Sequence, residues 1–464
     1  MVWCGFNLKI NKMKTFACIF LLIGNFLLCS CSNEEHNENE NLGDRNIYIE
    51  WENTIGGFTW DILSSIEQTS DGGYIVGGSS NSPIGADKTE SSWVTYAQDY
   101  WVIKLNNIGE IEWQNSIGGG SEEDMNAGVH QTKDGGFIIG GSSSSDRYGD
   151  KLEDCIGSAI STFDYWVVKL DPLGKIQWQN TIGGSGNETI KTILQTSDGG
   201  YLLAGDSDSE ISGDKNEERF GNNDYWIVKL DASGNIQWQK TIGGNGENKL
   251  GHVLEIENGG YMVGGSSNSH VSGNKTVATN GQMDYWIVKL DASGNIQWQI
   301  SVGGENTDNF HSLTLTSDGN YLLAGNTFSF DNDIMIVKID PTGKVIWQKV
   351  IEGVIPNELS IVKKIINSEN NSYVIGGTIL TSIYPFQFFD FFALKIDENG
   401  NKLNQIILET PGYDELADLE QTSDGGYIIG GQSWSTKSID KSEDNIGYSD
   451  QASDYWVIKI SSDF

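Results

Sequence analysis

Apolar and polar positions alternate with a period of two along most of the chain, in short runs closed by Gly, Asp and Ser. One passage, Asp164 to Gly184, holds the whole pattern. It reads Asp-Tyr-Trp-Val-Val-Lys-Leu, then a turn at Asp171–Gly174, then Ile-Gln-Trp-Gln-Asn-Thr-Ile-Gly-Gly. β-Branched and aromatic side chains suit a pleated, half-buried backbone, and Gly accepts the positive φ that tight hairpin turns require. No segment of useful length shows a helical period.

The passage repeats. Its closing Trp stands at Trp51, Trp113, Trp178, Trp238, Trp298 and Trp347, at spacings of 62, 65, 60, 60 and 49 residues, with Asn404 in the same slot 57 residues further on. A turn of the Asp-Gly-Gly type precedes an aromatic residue and an apolar run at Tyr74, Phe137, Tyr201, Tyr261, Tyr321, Tyr373 and Tyr427. The Asp that opens the Asp-Tyr-Trp strand recurs at Asp99, Asp164, Asp224, Asp284, Asp333, Asp390 and Asp454. Each unit reads as four strands. In the second copy they are a (Asn126–Gln131), b (Gly136–Gly141), c (Asp164–Leu170) and d (Ile176–Ile182). Seven such units predict an all-β, seven-bladed β-propeller of four-stranded antiparallel blades. A lone strand d at Ile47–Ile55 and a lone strand c at Asp454–Ile460 predict that the two ends of the chain complete one blade and close the ring.

Residues 1–46 stand apart from the ring. Lys9, Lys12 and Lys14 precede an apolar run, Phe16–Leu28, too short to cross a membrane and suited to a secretory signal over residues 1–30. Met13 is an alternative start. The ending Leu28-Cys29-Ser30-Cys31 resembles the lipobox of bacterial lipoproteins, which implies lipidation at Cys31 and an exported, outer-membrane lipoprotein on the periplasmic or cell-surface side. An ordinary cleaved signal with a chance Cys is the alternative. Residues 31–46 are polar and acidic and read as a flexible tether. They also resemble a surface-export signal, against which stands a solvated periplasmic linker.

Charge narrows the partners. The chain carries a formal charge of −35, and the first thirty residues hold three Lys and no acid, which leaves 26 bases against 64 acids. Nucleic acid is excluded, and a membrane is reached through the lipid anchor only. A protein or a glycan remains, on a chain expected to be a monomer. Of five Cys, only Cys31 and Cys155 lie beyond the signal, so no disulfide framework exists and the core must hold the ring.

Comparing the repeats with one another separates scaffold from site. Lys104, Lys169, Lys229, Lys289, Lys338, Lys395 and Lys459 share one slot of strand c. A group present in every blade serves packing, so Asp164, Lys169 and Trp178 and their counterparts read as structural, the Lys head reaching a carboxylate or carbonyl. Seven small equivalent pockets are the alternative. The b–c connections are long and put a crown of loops on one face, where binding groups accumulate. Five carry Asp or Asn before Lys, at Lys88, Lys151, Lys215, Lys275 and Lys441, which reads as a loop-closing device. No loop holds a calcium-binding pattern, so neither a metal nor another cofactor is called for. Trp60 in a d–a connection and Trp93, Tyr96 and Trp434 in b–c loops fall on this same face as candidate ligand-binding residues. Blade 6 departs from the rest, with an apolar b–c loop over 378–389 that adds Tyr384 and Phe386 as a patch either covered by a neighbouring blade or offered to a partner.

These markers resemble a family of secreted and surface bacterial lipoprotein propellers with sixty-residue repeats, usually without assigned chemistry. The blade pattern also resembles a kelch repeat. Asp171–Trp178 and Asp340–Trp347 are similar to the tryptophan-docking motif of quinoprotein propellers, which implies that the Trp locks neighbouring blades and does not bind a quinone. His130, His252 and His311 fall around strand a, without a paired-His or nucleophile-elbow motif, and no catalytic residue is assigned. The expectation is a lipid-anchored, non-catalytic binding or scaffold module of the cell envelope. The alternative is an envelope enzyme acting on glycans, or a quinone-dependent oxidoreductase, at the loop face or the axial channel.

Overall fold

The computed structural model describes residues 48–157, 162–328, 333–351, 354, 358–383, 386–447 and 452–464. The alternating runs form strands, and these pair into seven four-stranded antiparallel sheets. Strand a of blades 1 to 7 spans Asp61–Gln68, Glu123–Gln131, Glu188–Gln195, Asn248–Glu255, Asp308–Leu315, Ser360–Asn367 and Asp414–Gln421. In the second blade, strands c and d run over Asp164–Leu170 and Ile176–Ile182 as expected, while b runs over Phe137–Ser143. Strand a begins at Glu123, three residues earlier than the sequence suggests, because a register break between Asp124 and Gly128 interrupts the alternation.

Burial explains the two kinds of pattern. Strand c lies between b and d within its sheet and between blades on both faces, so every residue of Asp164–Leu170 is buried, and between Asp164 and Lys169 the run is apolar without alternation. Strand d is the outer edge and keeps its polar positions, as Ile176–Ile182 shows.

Asp-Tyr-Trp recurs because each residue ties a different neighbour. The Asp accepts a backbone N–H from its own b–c loop: Trp93 to Asp99 at 2.8 Å, Ile156 to Asp164 at 2.6 Å and Ile446 to Asp454 at 2.6 Å. The Tyr reaches the next blade, with Tyr100 against Trp166 at 4.9 Å, Tyr165 against Trp226 at 5.1 Å and Tyr455 against Trp101 at 5.1 Å between ring centroids. Each such contact contributes about 0.5–1.5 kcal/mol beyond the area it buries. The Trp turns its indole N–H to the Gln of its own strand d, as Trp166 does to Gln179 at 3.1 Å. The strand-d Trp docks outward. Trp113 lies against Gly174 in the next blade's c–d turn, where φ is +81° and a Cβ would meet the ring at 2.9 Å, so both backbone and space require Gly.

Five of the seven strand-c lysines are buried, and Lys289 and Lys395 are partly so. Lys104, Lys169, Lys229, Lys338 and Lys459 pair with the Asp of their own a–b turn at 2.8–3.1 Å. Blades 4 and 6 lack that Asp. There Lys289 reaches Pro341 O at 3.3 Å and Lys395 reaches Phe464 O at 2.6 Å.

Blade 6 corrects the sequence reading. Among its described residues, the 378–389 connection is not a loop. Strands Tyr373–Ile383 and Phe386–Ile396 extend one another, pairing Leu380 with Phe389 and Ile383 with Phe386. Thr and Ile supplied the β-propensity, and Pro385 masked it in the sequence. Ring closure is as expected: Ile49–Ile55 is strand d of blade 7, paired with Asp454–Ile460.

Candidate functional site: the channel mouth and the axial channel

Strand a is the innermost of each blade, and all seven strands a line one axial cavity of about 560 Å³. Seven equivalent hydrogen bonds frame its mouth on the loop face. In each, the backbone N–H at the end of strand b donates to the carbonyl of the residue before strand a: Asn81 to Trp60, Ser144 to Glu122, Asp208 to Asn187, Asn268 to Glu247, Phe328 to Thr307, Leu380 to Leu359 and Trp434 to Tyr413. These equivalent positions carry unequal chemistry. Blades 2 to 4 present Glu, Ser, Asn and Asp. Blades 5 to 7 and blade 1 present Phe328, Leu359, Leu380, Tyr413, Trp434 and Trp60, with Thr307 and Asn81 the two polar members.

The apolar arc contains a recess of about 580 Å³ lined by Pro411, Gly412, Tyr413, Glu415, Trp434 and Thr436. Tyr413 stands edge-on to Trp434 at 5.0 Å and against Phe389 of blade 6 at 4.7 Å. Glu415 beneath them takes Lys363 at 2.6 Å and the Gln432 amide at 3.0 Å. The recess therefore joins an aromatic wall to a carboxylate whose orientation is fixed.

The other candidates separate. Trp93 is half exposed and leans on blade 2, its ring 6.2 Å from Tyr148 and its indole N–H on Asp150 at 2.7 Å. Tyr96 is 79% exposed on backbone at φ +73°, a conformation that costs a non-Gly residue of order 1 kcal/mol or more. Trp60 is half exposed, with its backbone N–H on Asn81 Oδ1. Phe386 begins a strand, and neither its side chain nor Tyr384 nor Cys31 falls within what is described. Tyr413 and Glu415 were missed in the sequence. Tyr413 occupies the slot of Trp60 and was findable by comparing residues just before strand a.

The Asp-Lys and Asn-Lys loops close as the sequence suggested. Asp87, Asp150, Asp214 and Asn274 accept the N–H of Gly56, Gly118, Gly183 and Gly243 in the preceding blade at 2.8–3.3 Å. The Lys that follows is buried, with Lys88, Lys275 and Lys441 over Trp101, Trp286 and Trp456 at 5.3–5.7 Å.

Within the channel, His130 meets Glu67 at 2.9 Å, and Lys364 meets Asp418 at 2.6 Å and Glu420 at 3.6 Å. Burial works most strongly on His130 and against its charge, yet the Glu67 hydrogen bond and the Glu67 charge together outweigh it and raise the imidazole above its ordinary value. Burial also pushes His252 and His311 down to about 4. Among the described residues, no cluster of three or more His, Cys, Asp or Glu is arranged to hold a metal ion.

No family model matches this sequence. Among curated proteins it is similar to the regulatory protein FlaEY of Caulobacter vibrioides, at 25% identity over 139 residues, 29% of this chain and 15% of that protein's length. The chain thus spans far less than two thirds of that relative. Among solved structures, an ulvan lyase of polysaccharide lyase family 25 superposes with a TM-score of 0.50 at 10% identity, over 82% of this chain and 93% of that one. The WD40 domain of Neurospora crassa Pan2 gives a TM-score of 0.46 at 10% identity, over 86% and 89%. At such identities the likeness is one of fold, and the fold is the β-propeller.

Proposed function

We propose that this protein is a lipid-anchored, non-catalytic binding or scaffold module of the cell envelope, with a protein or glycan ligand seated at the channel mouth. One observation carries the reading: seven equivalent mouth positions divide into a polar half and an apolar, aromatic half, and the aromatic half holds the Tyr413–Trp434 recess. Packing of the blades alone has no need of that asymmetry. Aromatic side chains over a fixed carboxylate suit a sugar face or a protein hot spot, at about 2 kcal/mol or more for a central residue. In a glycan array and a surface pull-down, Trp434→Ala with Tyr413→Ala is expected to lose capture roughly thirtyfold while the melting temperature holds. Capture unchanged in the double variant places the ligand elsewhere. The anchor is tested with a palmitate analogue, which is expected to label the wild type and not Cys31→Ala.

A second reading, cleavage of a glycan in the channel, is favoured by the His130–Glu67 pair beside Glu420, whose carboxyl burial pushes up to about 7. Turnover of any member of a glycan panel that vanishes in Glu420→Gln supports it over binding alone.

A further inference from the structure

The wall of the axial channel inverts the charge balance of the chain. The sequence holds 29 Lys and Arg against 64 Asp and Glu, yet four lysines and three histidines line the cavity against two carboxylates. The outer charge decides little here, because ions screen it over about 8 Å at physiological salt. The groups on the wall decide.

Geometry places the key groups at one level. In six blades strand a slips register against strand b across a single residue, which is Ser64, Lys191, Gly251, His311, Lys363 or Ala417, while blade 2 breaks more widely from Asp124 to Gly128. A bulge re-aims the side chain it carries, and all six residues border the cavity. Three are basic, none is acidic, and the other three are small enough to leave space between them. The carboxylates nearby are already engaged, Asp418 and Glu420 by Lys364 and Glu415 by Lys363. Among the described residues the Lys191 ammonium forms no ion pair, and it acts on Asp124 and Asp206 only through its field. His311 is held neutral by burial and by the Lys363 charge, so its ring is a donor awaiting an acceptor.

We propose that this level of the axial channel binds a small molecule carrying a carboxylate or sulfate group, held by Lys191 and Lys363 with His311 as the third donor. The site is linked to the aromatic recess through the Lys363–Glu415 ion pair and shares no lining residue with it. Its failure and that of the mouth are told apart by which variant loses which ligand.

The test is a proton titration of the five histidines by NMR on the full chain, with sodium sulfate, D-glucuronate, D-glucose or sodium chloride at constant ionic strength. An oxyanion beside His311 favours its charged form, so sulfate or glucuronate is expected to raise the His311 midpoint by about one pH unit. Glucose and chloride are expected to leave it in place. Lys191→Gln is expected to weaken the effect about tenfold, and Trp434→Ala to leave it intact. Three results overturn the proposal: no midpoint change with either oxyanion at about 50 mM, an equal change with chloride, or a full response in Lys191→Gln with its melting temperature unchanged.

Discussion

At six of the junctions between blades, the Asp that opens strand c faces the first residue of the next strand a. Asp99 meets Glu123 and Asp164 meets Glu188 within hydrogen-bond reach. Asp99 Oδ1, Glu123 Oε2 and Asp164 Oδ1 are buried with no hydrogen-bond partner among the described residues. Lys88, Lys151 and Asp150 face the first pair, and Lys151 faces the second. A proton held between the carboxyls is the donor those oxygens lack. Blade 4 supplies the control, since Asn248 stands in the same slot and its amide donates to Asp224 Oδ1 at 2.9 Å. Burial raises Asp99, Glu123 and Asp164, and at the closing junction it pushes Asp61 up to about 6 and Asp454 to about 7. A raised carboxyl binds its proton more tightly in the folded state, so its stabilisation is complete below pH about 4 and is lost as pH rises through about 6–8. The turn carboxylates act in the opposite sense. Burial raises Asp71 and Asp424, but hydrogen bonds from Thr, backbone and Lys together outweigh it and bring both down to about 2, and their stabilisation is lost as pH falls towards that value. The melting temperature is therefore expected to be higher at pH 5 than at pH 8. Glu123→Gln, which copies Asn248, should gain about 2 °C at pH 8 and nothing at pH 5. Thermal scans at both pH values check this, and a variant that loses stability at both contradicts the shared proton.

Among the elements, blade 6 shows what a repeat does when a part is missing. Elsewhere the strand-d Trp packs on the Tyr of the next strand b, as Trp178 does on Tyr201 at 5.6 Å. Asn404 cannot, and Phe464 takes the place, edge-on to Tyr427 at 5.7 Å and buried, with its carbonyl on Lys395. Phe464→Ala is expected to cost about 3 kcal/mol in urea unfolding, whereas Leu403→Ala on the exposed side of strand d should cost little. Strands c and d were legible because Asp and Gly bracket them, c being buried throughout and d keeping the polar positions of an outer edge. Strand a was read short because its bulge breaks the period of two. Phe464 carried no local signal, since its partners lie in two other elements. The channel level was hidden for the same reason. Lys191, His311 and Lys363 sit in different blades, and only the common register slip brings them to one height.

For the whole molecule, closure rests on one pair of strands drawn from opposite ends of the sequence. A chain beginning at Gly56 lacks strand d of blade 7 and leaves Asp454–Ile460 as an open edge. It is expected to elute as aggregates and to be rescued by a peptide of residues 48–56, whereas a chain beginning at Tyr48 should melt as the full chain does. Size-exclusion chromatography checks both, and a monomeric Gly56 chain that melts normally refutes the role of the pair.

That pair also sets how the ring bears load. Ile49 faces Ile460, Ile55 faces Tyr455, and Ser461 N–H holds Tyr48 O at 2.7 Å, so both ends leave from the same end of the pair, on the side of the short turns. Tension between the two termini opens the strands like a zipper, one bond after another. Tension between Tyr48 and an object gripped at the loop face runs along the strand, and every rung from Ile49 to Ile55 then resists together. A ring held from its N-terminal side and pulled at its mouth is loaded in its strong direction.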